Sequence, residues 1–565
     1  MYGRRTRGSC DQYEPRDQAA DIVARSTPGD NTPGSWPGGN CRRSSLSWSG
    51  SWRLTGSDSS STGYRGKGFC SNGCHDRGGW YCGSGRVTLG RPEMKKGRLL
   101  CMVGVAVLWA ISLRAAEYRI GVARVEITPA EGLWMAGYAA RKHPAEGALH
   151  PLWAKALVVE DKHGQRVVIV TADLIGDNFG RQLSDAIGAA VSRRTGIGRQ
   201  RIVVNFSHTH CGPVVRVSDG ALVTYGLDEG QRAAVTAYAR TLEDKLVNLV
   251  TSACTHLQPA TLSFGEGKAT FAANRRKRYN PDGPVDHTVP VLRVADEKGR
   301  LLAVLFGYAC HTTTLGSDFY RYNGDYAGFA QIALEAAHPG ARAMFIAGCG
   351  ADINPSPRGT VQLAEQHGKS LAGAVDEVLG GDLHPVRGAL AVAFARVDLP
   401  FVDPPDRETL QARRGQGNVY DQRLTEVLLK RLSRQGSLER AYPCPVQVVR
   451  FGRDLTFVAL GGEVVVDYVL RLRREFPGQR LWVAGYCNEV FAYVPSERVL
   501  TEGGYEGGGA MKYFGWHGPF KPGVEDRVVG QVKKLVRETA RSLTGRSGSA
   551  PEAPSVRYTS TVPQQ

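Results

Sequence analysis

Four side chains placed at or just beyond apolar runs have the chemistry to bind a divalent metal or to move protons: His208, His210, His311 and Glu463. His208 and His210 form a His-x-His pair within Ser207-His208-Thr209-His210-Cys211-Gly212-Pro213. Side chains repeat with period two along an extended chain, so both imidazoles would face one side, one toward a metal and the other toward a substrate. Imidazole nitrogen and carboxylate oxygen are ligands that zinc takes, and a catalytic site leaves one position for water or substrate. Each residue alone has a plainer reading. The histidine pair could be a hydrogen-bonded structural pair, and His311 an ordinary buried or loop histidine. Glu463 could be a first-turn residue favoured by a helix dipole, and Tyr493 by itself reads as an aromatic packed beside the strand 481–484. Only the joint pattern points to a metal centre.

Whether these residues can meet depends on the elements that carry them. Short apolar, β-branched runs at 166–171, 201–206, 301–308, 341–347, 455–460 and 481–484 read as buried strands. Amphipathic stretches at 181–194, 229–249, 326–337, 362–378, 463–476 and 524–543 read as helices. The alternation predicts one large α/β catalytic domain with a mixed, largely parallel sheet flanked by helices. In such sheets the site lies outside the carboxyl ends of the strands. Run 201–206 leads into Ser207, run 301–308 into His311, run 341–347 into Gly348-Cys349-Gly350-Ala351-Asp352-Ile353-Asn354-Pro355, and run 455–460 into Gly461-Gly462-Glu463. Four strand ends could meet at one point. The stretch 399–437, opened by Pro404-Pro405, reads as an excursion on one side of the domain, and the Gly-rich segment 503–509 as a mobile rim around Tyr505. That segment lacks the Gly-Lys-Ser/Thr end of a phosphate loop.

Composition narrows the class. With 565 residues, 42% hydrophobic and 22% charged, the chain is no coiled coil, collagen-like repeat or wholly disordered polymer. The net charge of +17 is diffuse, and the basic residues are not concentrated with interleaved aromatics on one element, which argues against nucleic acid as a partner. Residues 1–93 are rich in Gly, Ser, Arg and Cys and are expected to be disordered or an over-extended gene model. At Met94 the character changes: Lys95, Lys96 and Arg98 precede the apolar run 99–113 and then Arg114-Ala115-Ala116. This is the layout of a signal peptide over 94–116, implying a secreted or periplasmic protein whose translation starts at Met94. The run is short for a transmembrane helix. The catalytic domain is expected over 117–545 and a Ser/Pro-rich disordered tail over 546–565. Cys70-x3-Cys74 beside His75 lacks a second ligand pair for zinc. Cys211, Cys254, Cys310, Cys349, Cys444 and Cys487 follow the signal; export permits disulfides, but so few cysteines in so long a chain do not define a stapled scaffold.

The motifs Ser207-His208-Thr209-His210-x-Gly212-Pro213, Ala309-x-His311, Gly462-Glu463 and Asn488-x4-Tyr493, followed by Tyr505-Glu506-Gly507, occur in that order. Together they resemble the motif series of the neutral (alkaline, non-lysosomal) ceramidase family, over about residues 118–515. The resemblance implies a zinc amidase that cleaves the N-acyl bond of ceramide or a related N-acyl amide with metal-activated water. It implies His208, His311, Glu463 and Tyr493 as zinc ligands, with His210, Arg275 and Tyr505 around the scissile amide. A phenolate ligand is uncommon; zinc would lower its pKa as it does for other bound acidic groups. His210 would be the general acid, because an imidazole exchanges protons near neutral pH.

The chain departs from the family in two places. Where ceramidases typically show Gly-Asp-Val-Ser-Pro-Asn, it has Gly350-Ala351-Asp352-Ile353-Asn354-Pro355, so Asn354 stands in place of a serine. Asp352 and Asn354 remain candidate catalytic residues, but an amide cannot act as a nucleophile. Family enzymes usually add an immunoglobulin-like C-terminal domain, and no such domain is expected here because only a short segment follows Gly515. A smaller or more soluble N-acyl compound is therefore an expected substrate beside ceramide itself, with peripheral membrane contact compatible with a lipid. Two other readings stay open: a metallohydrolase of another ester or phosphoester, and a catalytically silent secreted binding protein.

Overall fold

The computed structural model describes residues 116–544 except 131 and 178. The expected disordered segment 1–93, the signal peptide up to its last residue and the tail 546–565 lie outside the described residues.

Strands β1 (Tyr118–Glu126), β2 (Trp153–Asp161), β3 (Arg166–Ala172), β4 (Ile202–Phe206), β5 (Gln258–Lys268), β6 (Ala272–Asn274), β7 (Thr288–Asp296), β8 (Leu301–Tyr308) and β9 (Arg342–Ala347) come first. They are followed by β10 (Ile353–Pro355), β11 (His384–Val386), β12 (Leu390–Pro400), β13 (Ala441–Phe451), β14 (Leu455–Leu460), β15 (Glu463–Val464), β16 (Leu481–Ala484) and β17 (Tyr493–Val494). The larger sheet runs β4-β3-β2-β1-β5-β7-β8-β9, with β11 added on β5; the smaller runs β12-β13-β14-β16.

The larger sheet is mixed, as expected, but parallel pairing is confined to its two ends, β3 with β4 and β8 with β9. The pairs between them are antiparallel. The reason is the length of the connections. Parallel neighbours need a crossover element, and the helices Gly180–Thr195 and Asp325–Ala337 supply it at those two places, whereas short turns join β2 to β3 and β7 to β8.

Alternation along the strands sorts side chains into two apolar layers. Val168 and Val170 of β3 share a core with Leu183, Ile187 and Val191 of the helix Gly180–Thr195. Val167 and Ile169 of the same strand pack in a second core with Phe457 and Ala459 of β14. Val458 and Leu460 of β14 face the other way, into the core that holds Val528, Val532 and Leu535 of the helix Val524–Thr544. Both sheets are covered on both faces, giving helices, sheet, sheet and helix in succession, which explains the continuous apolar runs. The stretch 399–437 is indeed an excursion: the helices Arg407–Ala412 and Val419–Gln435 close over a small core of their own around Leu410, Leu428, Leu429 and Leu438. No helix among the described residues is long and apolar enough to cross a membrane.

The end strands β4 and β9 of the larger sheet are tied by one polar side chain. Asn205, fully buried, accepts the N–H of Ala347 at 2.8 Å through Oδ1 and donates from Nδ2 to the carbonyl of Gly485 at 2.8 Å. Asn205→Leu would strand both backbone groups in the interior, and each unmet buried partner costs about 1–3 kcal/mol. The expected result is a marked fall in melting temperature; an unchanged one would mean that other contacts hold these edges together.

Candidate metal centre

The four strand ends do converge. Beyond Phe206 the backbone leaves the extended state, and His208 adopts a left-handed φ of 59°. His208 and His210 are therefore not presented by strand alternation, as the sequence had suggested. The turn brings them together instead, with Nε2 atoms 3.3 Å apart and rings 80° to one another. A left-handed φ on a residue with a side chain costs about 1–3 kcal/mol. Two bonds offset it: the His208 N–H donates to the Leu174 carbonyl at 3.0 Å, and its Nδ1 lies 2.7 Å from the Ile175 carbonyl. His311, just beyond β8, sets its Nδ1 2.9 Å from the Gly350 carbonyl. The His208 and His311 imidazoles thus give their Nδ1–H to backbone oxygens and turn unprotonated Nε2 atoms to a common centre.

Glu463 is not in the first turn of a helix. It lies in β15, opposite Tyr493 of β17, and the helix begins later, at Asp467. Gly462, with φ 85°, turns the chain, and the N–H groups of Gly462 and Glu463 are taken by the carbonyls of Glu489 and Ala492. The left-handed turn at Gly462 and the pairing of Glu463 with Tyr493 hold this stretch extended, so the helix cannot start there. The ribbon sets Glu463 Oε2 3.2 Å from His208 Nε2 and 3.1 Å from His311 Nε2, with Tyr493 Oη 3.4 Å from His311 Nε2.

Glu463 Oε2 is buried and receives no hydrogen bond. That follows from the tautomers, since the protons of the facing rings are committed to carbonyls at Nδ1. The Nε2 atoms, a carboxylate oxygen and a phenol oxygen around one point form a donor set that fits a divalent cation such as zinc. Among the described residues His208, His210 and His311 also form a group whose ligand atoms lie within 4.8 Å of one another. Charge agrees with this fit. Burial opposes ionisation of Glu463, yet the adjacent His208 and His311 hold its carboxyl well below the usual range. Burial, then the Arg275 charge, brings His311 down to about 4. Burial, then His208 and His311, lowers His210 well below its ordinary value, so both rings stand neutral, the form that coordinates.

Arg275 borders the cluster. Its guanidinium donates to Tyr493 Oη at 3.0 Å, to Glu506 Oε1 at 2.7 Å and to Asn354 Oδ1 at 3.4 Å. Tyr505 stands above Tyr493, ring centroids 5.4 Å apart, and is 46% exposed, so it forms the outer edge of the site. Asn354 also accepts from the Thr313 hydroxyl at 3.3 Å. Asp352 occupies a different place: its Oδ1 accepts the Val466 N–H at 2.9 Å, and its own carbonyl accepts the Arg275 N–H at 2.9 Å. Burial pushes its carboxyl up to about 6. Its connection to the cluster runs through Arg275.

The segment 503–509 is pinned rather than loose. Glu506 pairs with Arg275 and with the buried Arg276, and a Cβ on Gly504 would stand 2.5 Å from the Tyr279 hydroxyl oxygen. The six described cysteines are free thiols.

Sequence reasoning missed Tyr138 and Tyr486. Tyr138 packs on His210 with ring centroids 4.7 Å apart, and Tyr486 on His208 at 4.4 Å. For Tyr486 the signal was the turn-forming Gly485-Tyr486-Cys487-Asn488 after a strand; nothing local marks Tyr138.

Gly350, whose carbonyl holds His311, admits no side chain: a Cβ would lie 2.4 Å from the Cys310 nitrogen and 2.6 Å from the Ala309 carbonyl carbon. Gly350→Ala must push apart the backbone that carries His311. Overpacking of this kind costs about 1–3 kcal/mol. The expected result is a lower melting temperature together with reduced retention of metal, read by calorimetry and elemental analysis.

Residues 118–359 match the model of the N-terminal part of the neutral/alkaline non-lysosomal ceramidases. Over this segment the chain is similar to the neutral ceramidase family. It is 26% identical over 254 residues to a neutral ceramidase of Drosophila melanogaster, covering 43% of this chain and 35% of the relative. It is 25% identical over 258 residues to the neutral ceramidase of Pseudomonas aeruginosa, covering 43% of this chain and 38% of that one. The matched part thus spans little more than a third of these relatives. The crystal structure of neutral ceramidase from Pseudomonas aeruginosa has a similar fold, with a TM-score of 0.57, 21% identity, and coverage of 74% of this chain and 75% of that one. A ceramidase complexed with C2 superposes with a TM-score of 0.59 at 21% identity over 78% of this chain and 77% of its own. His208, His210, Arg275 and His311 fall within the ceramidase-family segment, whereas Glu463, Tyr493 and Tyr505 lie beyond it. The fold brings the two groups together.

Proposed function

We propose that the chain is an exported, zinc-dependent amidohydrolase that cleaves the N-acyl bond of ceramide or a related N-acyl amide. The observation that carries this reading is the convergence of His208 Nε2 and His311 Nε2 on the carboxylate oxygen of Glu463, which receives no hydrogen bond, with the Tyr493 hydroxyl beside His311 Nε2. The match of residues 118–359 to the neutral/alkaline ceramidase family supports the choice of substrate class.

A divalent ion held by these four residues would supply a Lewis acid for the amide carbonyl and water that ionises near neutral pH. The remaining steps belong to the chain. Arg275 and Tyr505 border the same space and can donate hydrogen bonds to the oxyanion that develops as the acyl carbon becomes tetrahedral. His210, kept neutral by burial, can take a proton from the attacking water at Nε2 and return it to the departing amine. Asn354 Oδ1 is engaged by Arg275 and Thr313, which leaves the Nδ2 hydrogens to orient the substrate. Tyr505 and the rim behind it would face the lipid surface from which a ceramide is drawn.

The test combines metal analysis of protein expressed from Met94 with a panel of fluorescent ceramides and shorter N-acyl amides. Stoichiometric zinc with release of fatty acid is expected. Zinc with turnover of aryl phosphates alone would replace the amidase by a phosphoesterase, and zinc with no turnover of acyl substrates would leave a binding protein.

A further inference from the structure

Among the described residues four non-glycine positions adopt a left-handed φ, and three of them belong to the metal centre or the turn beneath it: His208 at 59°, Tyr486 at 52° and Asn488 at 65°. Asparagine tolerates this region, but for a bulky residue such as tyrosine it is a genuine outlier, which persists only where the surroundings over-determine it.

The surroundings of Tyr486 do so. Its N–H donates to the Gly462 carbonyl at 3.0 Å, and its carbonyl accepts the Phe206 N–H at 3.2 Å. One residue therefore joins the end of β4, which leads to His208, to the turn that leads to Glu463. The neighbouring residues repeat the pattern. Asn488 exchanges bonds with Val204 of β4, its N–H donating to the Val204 carbonyl at 2.6 Å and its Oδ1 accepting the Val204 N–H at 3.2 Å. Cys487 N–H donates to the Leu460 carbonyl of β14 at 3.0 Å, and the Glu489 carbonyl accepts from Gly462 at 2.7 Å. His208 and Glu463 come from different sheets, and this turn is bonded to both.

The ring of Tyr486 is 1% exposed and lies against both imidazoles, 4.4 Å from the His208 ring at 34° and 6.0 Å from the His311 ring at 90°. Its hydroxyl is 3.5 Å from His311 Nδ1, a nitrogen already committed to Gly350 at 2.9 Å, so the hydroxyl adds little. Packing by the ring, not hydrogen bonding by the phenol, is what Tyr486 provides.

We infer that the turn Gly485–Glu489 is a clasp that sets the spacing between the metal ligands of the two sheets, and that Tyr486 is its positioning residue, holding His208 and His311 through its ring. The inference rests on the metal centre proposed above, and its test requires no substrate.

Tyr486→Phe, Tyr486→Leu and Tyr486→Gly in the full chain would be compared for zinc affinity by chelator competition and for the visible spectrum of the cobalt-substituted protein, with circular dichroism reporting the fold. Groups that support metal ligands from behind are typically worth about 10–100-fold in affinity. Tyr486→Phe should bind zinc within about twofold of the parent with the same cobalt spectrum, while Tyr486→Leu should lose about 10–100-fold and shift the spectrum. Tyr486→Gly relieves the left-handed backbone but removes the ring, and should lose at least as much as the leucine variant. Folded leucine and glycine variants with parental affinity and spectrum would overturn the inference, as would a phenylalanine variant as impaired as leucine. Should leucine and glycine fail to fold, Asn488→Gly decides: it suits the local φ but cuts the side-chain bonds to Val204 and Gln447, and unchanged affinity there would overturn the clasp. A parent chain that binds neither zinc nor cobalt would overturn the metal centre, and the clasp with it.

Discussion

For the proposed zinc amidohydrolase, Glu463→Gln is expected to release the metal and abolish amide hydrolysis while leaving the fold intact. Glu463 contributes the carboxylate of the cluster, its Oε2 set between His208 Nε2 and His311 Nε2 at 3.2 and 3.1 Å. Structural zinc sites bind with about 10–16 kcal/mol, so each of about four ligands carries roughly 3 kcal/mol, on the order of a hundredfold in affinity. Loss of the negative charge adds to that figure, because the amide presents at best a weak neutral donor oxygen. The apo protein should respond in its stability. There burial opposes the ionised carboxylate but His208 and His311 favour it by more, so its neutralisation removes a net stabilising interaction. A metal-free Glu463→Gln protein that still folds but melts somewhat below the metal-free parent, and that binds zinc at least a hundredfold more weakly, is the expected pair of results. Undiminished zinc binding would place the ion elsewhere.

Arg275→Lys is expected to cut turnover by about 10²–10³-fold, the usual worth of a donor that stabilises developing negative charge, with zinc retained. The guanidinium reaches Tyr493, Glu506 and Asn354 from one planar group, and Tyr493 and Glu506 raise its pKa further against the effect of burial. A lysine is a single point donor and cannot hold all three acceptors. The fold should survive, because Glu506 keeps its second partner, Arg276. The effect should fall on kcat more than on KM, since the interaction strengthens as the carbonyl oxygen gains charge. Zinc loss in step with activity would instead assign Arg275 the task of holding the Tyr493 oxygen in place.

Much of the fold was legible in the chain because burial on both faces leaves a local mark. Strands 301–308, 455–460 and 481–484 read as apolar, β-branched runs and have those bounds in the structure. The helices around Ile187, Leu334 and Leu371 read as amphipathic periods. β1, β2, β5 and β7 escaped notice, and with them the mostly antiparallel middle of the larger sheet. Pairing direction depends on which strands become neighbours, and a single run of residues does not record that.

The site divides along the same line. The identity of the donors and their position after strand ends are properties of the sequence: His208, His311, Glu463 and Tyr493 follow or flank apolar runs, and their chemistry is that of ligands. Their meeting is a property of the tertiary structure. The left-handed turn at His208, the ribbon that diverts Glu463 from its expected helix and the close contact of Tyr138 with His210 all come from groups distant in the chain that compete for the same backbone bonds and the same volume. Local propensity chooses which residue can be a ligand. Packing between two separate sheets decides where its lone pair points.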